Sequence, residues 1–162
     1  MQDPASAVAD APARLEIPEG EYDASTLIAD SFAHLMRQVV RRAVGDGPAA
    51  DQALSDGGFL MNERMVVMRL NTDIDHVEVF YDVGQPESYS LEATYRAALE
   101  ANLCRQFPGV MLGIHPDSGR LVATLALNGL MVDDEDFCMM ILENLTRAAW
   151  QIRESGLFRF ED

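Results

Sequence analysis

Residues 76–83 of the chain read HVEVFYDV, an alternation that decides the fold. Val77, Val79 and Tyr81 fall at every second position, so an extended strand places them on one face of a sheet and the intervening residues on the other. On both sides of this stretch lie segments whose apolar residues recur every three or four positions, the helical period. The change of period from 3.6 to 2 and back predicts an α+β fold.

Further strands and tight connections surround this stretch. The segments that we predict as strands are residues 59–61, 65–70, 76–83, 110–115 and 121–127. The connections at 62–64 and 71–75 are short enough for hairpins, and the sequence PDSG at 116–119 provides a third tight turn. Because short connections join antiparallel neighbours, we expect a twisted, largely antiparallel five-stranded sheet.

Three helices complete the predicted order α-β-β-β-α-β-β-α. They cover about residues 25–44, 90–106 and 133–155. The first ends at the run Gly45-Asp46-Gly47-Pro48, and the last opens with four consecutive acids that suit a helix N-terminus. The buried face predicted for the last helix consists of Phe137, Met140, Ile141, Leu145, Ala148, Ala149 and Ile152.

The chain divides into one domain with two extensions. Residues 1–24 are rich in Ala, Asp, Glu and Pro and contain few large aliphatic residues, so we predict a flexible acidic N-terminal arm. Residues 25–156 form the single predicted domain, and residues 157–162 form a short C-terminal tail. A chain of 162 residues is long enough to bury a core without disulfides or metals.

The charge of the chain restricts its partners. Twelve basic residues stand against 27 acidic ones, which gives a formal net charge of -15. Such a field repels phosphate backbones and anionic lipids, so nucleic acid and membrane surfaces are disfavoured and a basic or amphipathic partner is favoured. No apolar run approaches the roughly 18 residues that a membrane span needs, and the first residues lack the order of a secretory signal. We therefore expect a cytoplasmic protein without membrane insertion.

Catalytic and metal-binding signals are weak. His34, His76 and His115 fall on three different predicted elements without the spacing of a metal motif. Cys104 and Cys138 have no CxxC spacing and are interpreted as reduced thiols, with one structural disulfide as the alternative. We predict no catalytic residues, no metal and no cofactor, although a site assembled in space by carboxylates or a thiol stays a third hypothesis.

The C-terminal half resembles a known family. The similarity is carried by residues 99–103 (LEANL), 110–114 (VMLGI), a turn at 119–120 and residues 121–125 (LVATL). Together with the element order, the small size and the low isoelectric point, these segments resemble the class I type III secretion chaperones, the Tir-chaperone family. The resemblance covers about residues 25–155.

The resemblance implies a function without catalysis. Members of the family are homodimers in the bacterial cytosol that hold the N-terminal segment of a secreted effector in an extended form and present it to the secretion apparatus. The alternative is a small acidic adaptor or stress-response domain with the same fold and no role in secretion.

The predicted effector-binding residues lie on the first helix and the first two strands. They are Leu35, Met36, Val39, Phe59, Met61, Met65 and Val67. Two observations favour them. The apolar stripe of the first helix is wider than one sheet face requires. An early, short strand is expected at the edge of a sheet, where a further strand can be added. The alternative for each of them is a place in the ordinary core.

The predicted dimer interface lies on the middle helix. Its apolar stripe consists of Leu91, Tyr95, Leu99 and Leu103. Because the first and third helices suffice to cover a small sheet, a third stripe is available for a self-complementary two-fold contact. The family resemblance implies a homodimer as well.

Overall fold

A computed structural model describes residues 24–128 and 134–161. Its elements are α1 (Ala24–Val44), α2 (Pro48–Asp56), β1 (Gly58–Met61), β2 (Arg64–Asn71), β3 (His76–Gly84), α3 (Leu91–Leu103), β4 (Met111–Ile114), β5 (Leu121–Asn128) and α4 (Glu135–Glu154), with a 3-10 turn at Ser88–Ser90 before α3. The predicted α+β class is confirmed. The predicted acidic arm lies outside the described residues, apart from Ala24 at the start of α1.

The five strands form one antiparallel sheet in the order β1-β2-β3-β5-β4. The predicted antiparallel five-stranded sheet is therefore confirmed, and β1 lies at one edge. A two-residue turn joins β1 to β2, with positive φ angles of 52° at Asn62 and 62° at Glu63. Turns of this hand match the twist of the strands that they join, so the register of the hairpin follows from the turn.

The alternation along β3 separates the two faces of the sheet. Val77, Val79 and Tyr81 are buried on the inner face, whereas Glu78 and Phe80 lie on the other face. Helix α4 packs across β3 and β5, and α1 packs across β1 and β2, so the inner face meets two helices. Helix α3 packs beside the edge strand β4. The core therefore lies between one face of the sheet and the helices.

The structure contains an additional helix, α2, where the sequence predicts only the end of the first one. Pro48 occupies the first turn of α2, a position where its missing N–H costs no hydrogen bond. Ala50 and Ala53 are buried beside α1 and β1. The prediction of three helices is wrong because one leucine and three alanines among nine residues form too weak an apolar pattern to signal a helix.

Helix α4 is rotated from its predicted orientation. Its buried residues are Cys138, Met139, Leu142, Leu145, Ala149 and Ile152, so three of them were predicted. Met140, predicted as buried, is 47% exposed. Asp134 caps the helix by accepting a hydrogen bond from the backbone N–H of Phe137 at 3.0 Å. The apolar residues 137–142 are continuous, so periodicity alone does not select which of them face inward.

The last residues of the chain pack against the end of β3. Phe158 is 5% exposed, and Phe160 pairs with Pro86 in an isolated bridge. Gly84, with a φ of 148°, lets this segment approach, because a Cβ there would lie 2.4 Å from Arg153 and 2.9 Å from the Phe160 ring. The residues predicted as a short tail are thus part of the packed domain.

Candidate functional site

Four of the predicted effector-binding residues belong to the core. Leu35 is 3% exposed, Met36 is 7%, and Val39 and Phe59 are equally buried. Helix α1 contacts β1, β2, α2 and α4, and these neighbours together cover the broad apolar stripe at these positions. The apolar stripe of α1 was predicted to be too wide to be internal, and this is wrong for these residues. Helix α2, which covers part of the stripe, was not predicted from the sequence.

The other three predicted residues divide between the two faces of the sheet. Met61 is half-buried, and its sulfur accepts a 3.8 Å contact from the Thr146 hydroxyl of α4. Met65 is 45% exposed and lies with Val67 on the opposite, outer face. Of the predicted set, the structure therefore brings only Met65 and Val67 to an open surface. They are two residues apart on β2 and face the same side of the sheet.

These two residues line a groove on the outer face with a volume of about 570 Å³. Its apolar surface also includes Phe80 of β3 and Val122 of β5, and its remaining lining residues are Arg69, Asp82, His115, Pro116, Ser118 and Arg120. The groove crosses three strands and ends at the β4–β5 turn. Such a surface, apolar along its middle and polar at its rim, suits an extended peptide with apolar side chains.

The sequence-based reasoning missed the part of the groove contributed by β3 and β5. Phe80 is an aromatic residue between Glu78 and Asp82 on the outer face of a strand. Phe80 alone was a weak signal, because single apolar residues on a surface are common and only a contiguous apolar patch indicates binding. Val122 gave no such signal, since strand β5 is apolar on both faces.

Two arginine–carboxylate pairs shape the sides of the groove. The Arg69 guanidinium lies 5.3 Å from the centre of the Phe80 ring and donates a 2.6 Å hydrogen bond to Glu78. This hydrogen bond, with a second one from Asn71, lowers the pKa of Glu78. Arg69 is thereby held over the aromatic ring, a cation–π arrangement that keeps the ring in place.

The second pair lies at the other end of the groove. Arg120 donates two hydrogen bonds to Asp82, at 2.9 Å and 2.7 Å, in the bidentate geometry that guanidinium and carboxylate groups favour. The bond to Asp82 raises the pKa of Arg120. The β4–β5 turn, which carries Arg120, is thus tied to β3.

The predicted dimer residues line one side of α3. Tyr95 is 49% exposed, Leu99 is 70% and Leu103 is 85%, and they are spaced by four residues. Leu91, at the start of the helix, is half-buried. Ala98 and Ala101 on the other side of the helix are buried. The structure therefore leaves an apolar stripe of α3 open to solvent.

The two edges of the sheet differ. At β4, the Asn102 side chain of α3 donates to the carbonyl of Leu112 and accepts from its N–H, both at 2.8 Å. This side-chain amide occupies the backbone groups that a further strand would use. At β1, no described strand pairs with the outer side. Leu60, which is 56% exposed, is paired with Met65 and carries the apolar outer face to this edge.

In the part of the chain that the structure describes, the remaining titratable groups include potential metal ligands and two thiols. Within the described residues, no three His, Cys, Asp or Glu side chains are placed to hold a metal ion. Both cysteines are free thiols: Cys104 is exposed, and burial raises the pKa of Cys138 to about 11. A helix able to span a membrane is not found in the described part of the chain.

Comparison with known proteins rests on structure. No protein-family model matches the chain, and no curated protein matches it. A chain in the crystal structure of the ExsC–ExsE complex is similar, with a TM-score of 0.55 and 13% identity over 78% of this chain and 96% of that chain. A chain in the structure of the HopA1–SchA chaperone–effector complex has a TM-score of 0.48 and 12% identity over 78% of this chain and 97% of that chain. The first similarity shows that this chain shares its fold with a chain of that complex.

Proposed function

We propose that the protein is a cytoplasmic chaperone of a bacterial type III secretion system. It binds an extended N-terminal segment of a secreted effector, keeps that segment extended for the secretion apparatus, and catalyses no reaction. The observation that carries the proposal is the apolar groove on the outer face of the sheet, on a chain that shares the fold of a chain in the ExsC–ExsE complex and resembles the class I secretion chaperones in sequence. Met65 and Phe80 lie on the outer face, away from the core between the sheet and the helices.

The geometry supports binding of an extended segment in particular. Leu60 and Met65 continue the apolar surface from the groove to the outer edge of β1. A peptide strand that pairs with β1 gains backbone hydrogen bonds there, while its alternate side chains enter the apolar surface. The Asn102 side chain occupies backbone groups of Leu112 at the opposite edge, β4, so β1 is the edge proposed for pairing.

The proposed dimer uses the exposed stripe of α3. Tyr95, Leu99 and Leu103 are too exposed to contribute much to the core of one protomer, and a two-fold contact between stripes would cover them. Light scattering of the unmodified protein at micromolar concentrations is expected to show twice the chain mass of 17.9 kDa. Leu99→Asp is expected to yield monomers, whereas Trp150→Asp, a change at an equally exposed residue of α4, leaves the dimer intact. A single-chain mass for the unmodified protein contradicts the dimer.

The function is tested by capture from the native cytosol. Purified full-length protein is incubated with the cytosol of its own bacterium, and the bound polypeptides are identified by mass spectrometry. We expect one or a few secreted proteins, bound through their N-terminal segments, and a loss of capture in the double variant Met65→Ser, Phe80→Ser. Trp150→Ser removes an exposed aromatic residue of α4 and serves as the control. Capture of only non-secreted proteins would instead support the adaptor hypothesis.

A further inference from the structure

A second cavity adjoins the groove and is lined by three arginines. Arg64 at the start of β2, Arg120 before β5 and Arg153 on α4 surround a space of about 490 Å³, together with Gln85 and Glu161. This arginine pocket lies at the end of the sheet where β3 gives way to the C-terminal segment. Three guanidinium groups in one cavity are unexpected in a chain with a net charge of -15.

The carboxylates nearby leave part of this positive charge unmatched. Asp82 accepts both hydrogen bonds from Arg120, and Glu161 is the other carboxylate at the pocket. Among the described residues that line the pocket or bond to its arginines, two negative charges therefore face three positive ones. An excess of one positive charge matches a singly charged carboxylate, whereas a phosphate of nearly two charges is repelled more strongly by Asp82 and Glu161.

Two of the arginines have donors to offer. The side chain of Arg64 approaches Asp82 only to 4.0 Å, beyond hydrogen-bond distance. Arg153 donates to the carbonyl of Val83 at 2.9 Å, and its guanidinium lies 4.6 Å from the centre of the Phe160 ring. Since a guanidinium carries five N–H donors, Arg153 is oriented by these contacts without being saturated by them among the described residues.

The pocket and the groove share one lining residue. Arg120 lines both of them, and its partner Asp82 lines the groove. A segment that lies along Val67, Phe80 and Val122 therefore comes next to Arg120, which also lines the pocket. One residue of that segment can direct its side chain into the pocket while its neighbours remain in the groove.

We propose that the arginine pocket binds the carboxylate of a Glu or Asp side chain in the segment whose apolar residues occupy the groove. The inference rests on the proposed function, and it adds a chemical requirement on the partner. The bound segment carries alternating apolar residues next to an acidic one, although the protein as a whole favours basic partners. Arg64 and Arg153 supply the charge-assisted hydrogen bonds that select the acid over its amide.

The test compares two sets of synthetic peptides. Each peptide has about eight residues in which Val and Ser alternate. In the first set, one position in the second half is Glu, and this position differs from peptide to peptide. The second set has Gln in place of each Glu. Binding to the full-length protein is measured by fluorescence anisotropy at low salt. We expect the best Glu peptide to bind about tenfold more tightly than its Gln counterpart, since a hydrogen bond to a charged group contributes about 1.5 kcal/mol.

Two variants assign that difference to the pocket. Of the three pocket arginines, Arg64 makes the longest contact, at 4.0 Å to Asp82. The melting temperature of Arg64→Gln should therefore stay near that of the unmodified protein, and the preference for Glu should disappear. Arg96→Gln makes the same change of charge on α3, where the side chain pairs with Glu100, and it leaves the preference unchanged. This control accounts for the change in net charge.

The outcomes separate the two proposals. Equal binding of Glu and Gln peptides overturns the carboxylate pocket and leaves the groove as a binding surface. A preference for Glu that persists in Arg64→Gln also overturns the pocket, because the selection then lies elsewhere. Binding of neither set overturns both the pocket and the peptide-binding groove.

Discussion

Val79 and Phe80 are neighbours on β3 and face opposite sides of the sheet. Val79 is fully buried against the helices, whereas Phe80 is partly exposed in the groove beneath Arg69. The inner face consists of buried apolar residues that complete a core, and the outer face combines apolar residues with arginine–carboxylate pairs. The same alternating strand therefore supports folding with one face and leaves a surface available for binding on the other.

The largest effect is expected on the inner face. Val79→Asp buries a carboxylate that has no partner in the core, which costs about 5 kcal/mol or more, comparable to the whole stability of a domain. Chemical denaturation should show a protein that is unfolded or nearly so. Phe80→Asp, the same change one residue later, should keep the fold, and unfolding of both variants to the same extent would contradict the difference between the faces.

The next effect concerns the closed edge of the sheet. Asn102→Ala removes both hydrogen bonds to the backbone of Leu112 and is expected to cost about 2 kcal/mol, because partly buried backbone groups lose their partners. Urea denaturation measures the change. Gln52→Ala removes an amide that bonds only the exposed Asp56, and it is expected to change stability by less than about 0.5 kcal/mol.

If Asn102 also protects the edge against added strands, its loss has a second consequence. Asn102→Ala should increase self-association, measured by light scattering at rising protein concentration. A stability loss equal to that of Gln52→Ala would show that the hydrogen bonds of Asn102 to Leu112 do not stabilise the fold.

A smaller effect on folding is expected at the groove. Phe80→Ala removes the ring beneath Arg69 and should destabilise the fold by only about 1 kcal/mol, since the side chain is partly exposed. Its effect on capture of the proposed partner should be much larger. Melting and capture assays on the same variant compare its stability with its binding. A loss of capture that is no larger than the loss of folded protein would contradict the assignment of Phe80 to a binding surface.

The smallest effect concerns the charge pair beside that ring. The pKa of Glu78 is lowered from its ordinary value of 4.5 by the hydrogen bond from Arg69, so the ionised form is favoured in the folded protein. Its contribution to stability is therefore complete above about pH 4.5 and is lost as the pH falls through the lowered pKa. At neutral pH, Glu78→Gln should cost at most about 0.5 kcal/mol, because the pair lies near the surface.

Denaturation curves across pH check this sign. The difference between the unmodified protein and Glu78→Gln should shrink as the pH falls below 4.5, and it should shrink in high salt at neutral pH. A difference that grows towards acid pH would contradict the role of the ionised carboxylate.

Much of the fold was predictable because its signals are local. The alternation in residues 76–83, the two-residue turn at Asn62 and Glu63, and the short connections between strands suffice for an antiparallel sheet. Helix α2 was missed because its burial depends on Ala50 and Ala53 meeting α1 and β1, and small residues carry little periodic signal. The exposed stripe of α3 was predictable in position, since its members Leu91, Tyr95, Leu99 and Leu103 recur every four residues.

The candidate site was predictable only in part. Met65 and Val67 were predicted to bind and do line the groove, whereas Leu35, Met36, Val39 and Phe59 are core residues. An apolar side chain on a helix is compatible with either place, and only its neighbours in space decide between them. The β3 and β5 parts of the groove come from residues distant in sequence from Met65.

By itself, the sequence determined the class of fold, the antiparallel sheet, the strong negative charge and the resemblance to the secretion chaperones. The tertiary structure alone decided that α1 is covered, that Asn102 closes one edge of the sheet, and that Arg64, Arg120 and Arg153 meet around one pocket. The physical reason is the range of the interactions. Hydrophobic periodicity and turn geometry act between residues close in sequence, whereas burial and the convergence of charges depend on contacts between distant segments.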